Sequence, residues 1–82
     1  MRLPRDLSGH ELIQLLRRYG YEPTRQAGSH IRLESSLRGH THRITVPDHA
    51  DLRLGTLSAI LSDVADYLDI ERSKLEEEIF EK

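Results

Sequence analysis

The chain has no cysteine and no tryptophan, and only one phenylalanine and three prolines among 82 residues. Without cysteine there is no disulfide, no cysteine-ligated zinc and no thiol nucleophile, which fits a reducing compartment. No apolar segment approaches the ~18 residues that a membrane helix requires. Behind Met1-Arg2-Leu3-Pro4-Arg5-Asp6 there is no apolar run of the kind a secretory signal carries. These absences point to a cytoplasmic protein with no membrane contact. The glycines at 28, 39 and 55 are too scattered to cradle a nucleotide, so no small-molecule cofactor is expected. The length allows one small domain over 1–82, with a modest core over about 7–70 and an acidic C-terminal helix over 71–82.

Charge is unevenly spread. Residues 1–56 carry nine Lys/Arg against six Asp/Glu, a net of +3, whereas residues 57–82 carry three against eight, a net of −5. The basic residues of the front part are all arginine, whose planar fork of donors suits phosphate. All five histidines also lie there. An anionic ligand is therefore expected on the front of the molecule.

Ser8-Gly9-His10-Glu11 has the pattern of a capping box. Leu12, Ile13, Leu15, Leu16 and Tyr19 follow at helical spacing, which predicts a helix over about 8–19 closed by Gly20. Arg17 and Arg18 fall in its last turn, where cations complement the helix dipole. Tyr21 to Gln26 reads as a strand, placed at an edge by Pro23. Ala27-Gly28-Ser29 forms a hairpin turn, and His30 to Ser35 a second strand. A polar loop leads to a third strand, Thr41 to Val46, stopped by Pro47. Thr56 reads as the N-cap of a second helix running to about 68, whose stripe is Leu57, Ile60, Leu61, Val64, Ala65 and Leu68. Asp63, Asp66 and Asp69 read as its solvated face. Asp69-Ile70-Glu71 breaks the pattern, and Ser73 to Phe80 forms a short third helix. The order predicts an α+β fold, a three-stranded antiparallel sheet with helices on one face and the other face open.

The stretch Gln26-Ala27-Gly28-Ser29-His30-Ile31-Arg32-Leu33 gives a titratable group a mechanistic setting. Strand alternation sends Ile31 and Leu33 inward and leaves His30 and Arg32 on the open face. The register is undetermined from sequence: either Arg25 or Gln26 is expected opposite His30, depending on loop length. His40, His42 and His49, with Asp48 or Asp51, lack the tight spacing of zinc sites, so no metal is assigned.

The helix, the Tyr19-Gly20-Tyr21 join, Arg25-Gln26-Ala27-Gly28-Ser29-His30, the strand ending Val46-Pro47, and Gly55-Thr56-Leu57-Ser58-Ala59-Ile60-Leu61 together resemble the HicA toxins, the YcfA/HicA family, over about residues 7–70. The resemblance implies an α-β-β-β-α fold like a double-stranded-RNA-binding domain. It implies a metal-independent endoribonuclease that cuts mRNA and halts translation, and a HicB-type antitoxin partner that covers the active face. The family's catalytic histidine falls on His30 and its flanking glycine on Gly28. The acidic third helix, Glu76-Glu77-Glu78, extends beyond the shortest family members, and the net charge is slightly acidic where a free RNA binder is usually basic.

Metal-free RNA cleavage can use the 2′-hydroxyl as internal nucleophile, and histidine is the side chain whose ordinary pKa suits the base. His30 is the expected general acid/base. Arg32, with Arg25 or Arg43, is the expected phosphate clamp. Gly28 allows close approach of RNA, and Ser29 offers a hydroxyl or an amide. Water or His42 are open as the proton donor to the leaving oxygen. The acidic helix is expected either to shield the basic face or to contact the antitoxin. A non-catalytic RNA-binding module of the same fold, reading duplex shape, is the alternative. A third reading is a protein-interaction domain whose open sheet face receives a partner.

Overall fold

A computed structural model of the protein describes residues 3–80. Its elements run α1 (Gly9–Leu16), a 3-10 turn (Arg17–Tyr19), β1 (Glu22–Ala27), β2 (His30–Ser35), β3 (His42–Pro47), α2 (Leu54–Leu68) and α3 (Arg72–Phe80). The strands form one antiparallel sheet in the order β1-β2-β3. This is the expected α-β-β-β-α succession with a further short helix.

The capping box forms as the sequence spells it. Ser8 Oγ accepts from the Glu11 amide, and the Glu11 carboxylate accepts from the Ser8 amide at 2.8 Å. The bond from the Ser8 amide, followed by the Ser8 hydroxyl, holds the Glu11 carboxyl below its ordinary range. Gly20 ends the 3-10 turn in the left-handed region at φ +85°. The second helix starts two residues before the expected cap. The Arg53 carbonyl accepts from Leu57 N–H at 2.9 Å, so Gly55 and Thr56 lie inside the first turn and Thr56 is not the cap. The reason is upstream: Leu52 is buried and its amide is tied to Leu7, which commits the chain to turn at Arg53.

Ile31, Leu33, Ile44 and Val46 face inward and meet Leu12, Ile13 and Leu16 of α1 and the whole expected stripe of α2. Leu75 and Ile79 of α3 belong to the same cluster. Tyr67 fastens the β2–β3 loop beneath the sheet. Its hydroxyl donates to the His40 carbonyl at 2.6 Å and accepts from Arg38 N–H at 2.9 Å.

Gly9 marks the tightest approach of α1 to the sheet. Its amide donates to the His49 carbonyl at 2.9 Å, and a Cβ there would sit 2.0 Å from the Pro47 carbonyl oxygen. Backbone cannot yield as a flexible side chain would. Gly9→Ala is therefore expected to lower stability by about 1–3 kcal/mol or more. A urea titration with a reduced midpoint would show it, and an unchanged midpoint would contradict the packing.

Burial, followed by a hydrogen bond to Glu78, raises the Tyr19 hydroxyl to about 12 from 10.0. Burial also pushes Tyr21 upward. Both favour the neutral phenol in the folded state. Their contribution is thus complete below pH 10, where the unfolded phenol is also neutral, and is lost as pH rises towards the folded values. In an alkaline titration, ionisation of these two tyrosines should coincide with loss of circular dichroism. Ionisation near pH 10 in the folded protein would refute this.

Candidate nucleic-acid interface

The turn that presents His30 has two residues. Ala27 pairs with His30, leaving Gly28 and Ser29 at the tip. Gly28 sits at φ +59°, and Ser29 is not in the positive-φ region, the pattern of a type II′ hairpin with glycine first. Ala27 therefore belongs to β1, not to the turn. Two bonds pin the tip: Gln26 Nε2 donates to the Gly28 carbonyl at 3.0 Å, and Asp48 N–H donates to the Ser29 carbonyl at 2.6 Å.

The short loop also corrects the register. Neither Arg25 nor Gln26 faces His30; Arg25 pairs with Arg32 and Gln26 with Ile31. The register shifts between Pro23 and Arg25, which bulges β1 at Thr24. On the other side, His30 pairs with Pro47 and Arg32 with Thr45. Arg25, Ala27, His30, Arg32 and Thr45 line a concavity of about 310 Å³ on the open face.

Two arginines directly opposite each other repel, at a cost of roughly 0.2–1 kcal/mol. Among the described residues, neither Arg25 nor Arg32 pairs with a carboxylate. Arg43 differs. It pairs in register with Glu34, and its Nε donates to Glu34 Oε2 at 3.1 Å. It lies four residues along β3 from Pro47, about 13 Å away. So the structure gathers Gly28, Ser29, His30, Arg25 and Arg32, and leaves Arg43 outside that concavity.

Thr45 and Ala27 were missed in the sequence. For Thr45 the signal was present, because alternation along Arg43-Ile44-Thr45-Val46 puts it on the outer face. Ala27 became legible only with the two-residue turn.

His42 lies on the inner face, opposite Ser35 and about 17 Å along the sheet from His30. It cannot pass a proton to a group bound at His30. The Tyr21 hydroxyl meets its Nδ1 at 2.7 Å, Asp63 Oδ1 meets its Nε2 at 3.3 Å, and Tyr67 stacks on the ring at 4.8 Å. Among the described residues, no three metal-ligating side chains gather.

The acidic helix is not a shield over the basic face. Its Leu75 and Ile79 are buried in the core. Its polar contacts run to Arg18, Tyr19 and Ser62, on the helical side. No described helix is long and apolar enough to cross a membrane.

The family model described as "HicA toxin of bacterial toxin-antitoxin" matches residues 9–65. The chain belongs to the HicA toxin family. The match runs from α1 into α2 and contains the whole His30 face; α3 lies beyond it. No curated protein and no solved structure matches the chain. Membership in the HicA family makes this a toxin of a toxin–antitoxin system, with an antitoxin as its counterpart.

Proposed function

We propose that the protein is the toxin of a type II pair: a metal-independent endoribonuclease that cleaves mRNA in the cytoplasm and is neutralised by a HicB-type antitoxin. One observation carries this reading. An exposed histidine stands beside two facing arginines that no described carboxylate neutralises, in an open concavity. A phosphodiester has the charge and size to enter it.

His30 takes the proton of the ribose 2′-hydroxyl. The 2′-oxygen attacks the adjacent phosphorus, the bond from phosphorus to the 5′-oxygen breaks, and water protonates the departing oxygen. Arg32 and Arg25 hold the phosphate oxygens as charge builds on them, where electrostatic stabilisation contributes most. Gly28 and Ser29 let the backbone approach the turn. The antitoxin presents acidic groups to the same face and competes with RNA.

The test is cleavage of RNA by purified protein with chelator present. The expected products carry a 2′,3′-cyclic phosphate and a 5′-hydroxyl. A single 2′-deoxy substitution at the cut nucleotide should block cleavage there. Cleavage that survives the substitution, or that needs added metal, would defeat the mechanism. Duplex RNA binding without cleavage would leave a non-catalytic binder.

A further inference from the structure

A second groove opens round the edge of β3. Arg32, Arg43, Ile44 and Thr45 line it from the sheet, and Ala59, Ile60 and Asp63 from α2. Its volume is about 470 Å³, within the range of small-ligand pockets of about 300–1,000 Å³. Arg32 and Thr45 also line the His30 concavity, so the two spaces adjoin. β3 is the last strand of the sheet, and no further strand covers this edge among the described residues.

The groove's chemistry differs from that of its neighbour. Ala59, with the exposed edges of the otherwise buried Ile44 and Ile60, gives it apolar surface, while Asp63 places a carboxylate one helical turn from Ala59. Asp63 is held from behind: its Oδ1 meets Nε2 of His42 at 3.3 Å, and the Tyr21 hydroxyl meets Nδ1 of the same ring at 2.7 Å. A carboxylate repels phosphate, so phosphates stay at Arg32, on the rim shared with the His30 concavity. It accepts N–H donors, and a flat ring that carries them can lie against the isoleucines.

We infer that this groove is a nucleobase subsite for the nucleotide flanking the cut, and that it prefers guanine. Guanine offers two adjacent N–H donors on its Watson–Crick edge, which a carboxylate can accept together. The inference rests on the RNA reading of the His30 face. It adds a specificity determinant, Asp63, on an element that does not carry the reaction.

The experiment uses the full chain with His30→Ala, so that RNA binds uncut. The probes are single-stranded RNA tetranucleotides that differ at one position, carrying guanine, uracil or an abasic site. Methyl resonances of Ile44, Ala59 and Ile60 are followed, with Ile13 and Ile79 as controls. The groove methyls should shift and the controls should not. The guanine probe should bind about ten-fold tighter than the uracil or abasic probe. Asp63→Asn should erase that preference, and so should Ala59→Phe, an exposed position whose larger side chain fills the groove. Equal affinity for all three probes, or shifts confined to the His30 concavity, would overturn the inference and leave the nuclease reading standing. Groove shifts with a base preference, in a protein whose wild type cuts no RNA, would uphold the subsite and overturn the nuclease. If only a protein partner moves the groove methyls, the subsite falls and the nuclease reading rests on its own cleavage test.

Discussion

Replacing His30 with alanine should abolish RNA cleavage and growth arrest while the fold stands. General acid–base catalysis by a placed side chain contributes about 10²–10⁴-fold, so the rate on a given RNA should fall by at least ~100-fold. The fold should not notice. His30 is exposed on the outer sheet face, and no described side chain hydrogen-bonds its ring. Surface changes of this kind usually stay within about 0.5 kcal/mol. The decisive measurement pairs a cleavage rate with a thermal melt of the same preparation. A variant that melts normally and cuts at the wild-type rate would remove His30 from the mechanism. Arg32→Lys separates charge from geometry. A lysine restores charge but not the two-pronged grip, so it should recover only part of the activity that Arg32→Ala loses.

The parts of the fold that were legible are those written in periodicity. The α2 stripe and the alternation of Ile31 and Leu33 each have one physical solution, a face that must be buried, and the structure buries those faces. The Ser8–Glu11 box is equally local and formed as spelled. What failed was set by non-local ties. The α2 start moved because Leu52 is tied to Leu7, a contact that no window of sequence contains. The hairpin register depended on whether the turn held two residues or three, and Ala27 fits either. His42 was misread because its strand alternates polar on both sides: Thr41, Arg43 and Thr45 outward, His42 inward into a tyrosine cluster. A histidine facing inward looks in sequence like one facing out. Its partners Tyr21 and Asp63 are each 21 residues away in the chain. The His30 face itself was legible as one histidine and one arginine. The cross-strand Arg25 and Thr45 needed the register.

Loss of α3 should unfold the protein. The acidic run Glu76-Glu77-Glu78 suggests a solvated appendage, but the helix is anchored on its other side. Leu75 is fully buried and Ile79 nearly so, both within the common core. Truncating one buried leucine to alanine costs about 2–5 kcal/mol. A domain of this size has a total stability at the low end of about 5–15 kcal/mol. Leu75→Ala alone should therefore lower the melting temperature by at least ~10 °C. Deleting 71–82 removes Leu75, Ile79 and Phe80 together and uncovers the apolar back of α2. It also strips the Tyr19 hydroxyl of its acceptor on Glu78, at 2.7 Å, and Ser62 of its donor on Arg72, at 3.0 Å. The expected readout is loss of a cooperative melt, with toxicity lost as a consequence of unfolding. A truncated chain that melts cooperatively near the wild-type temperature would show that α3 is dispensable to the core. Because no hydrogen bond or ion pair joins α3 to Arg25, His30 or Arg32 among the described residues, Leu75→Ala assayed well below its melting temperature should keep the wild-type cleavage rate. That separates a brace for the fold from a part of the site.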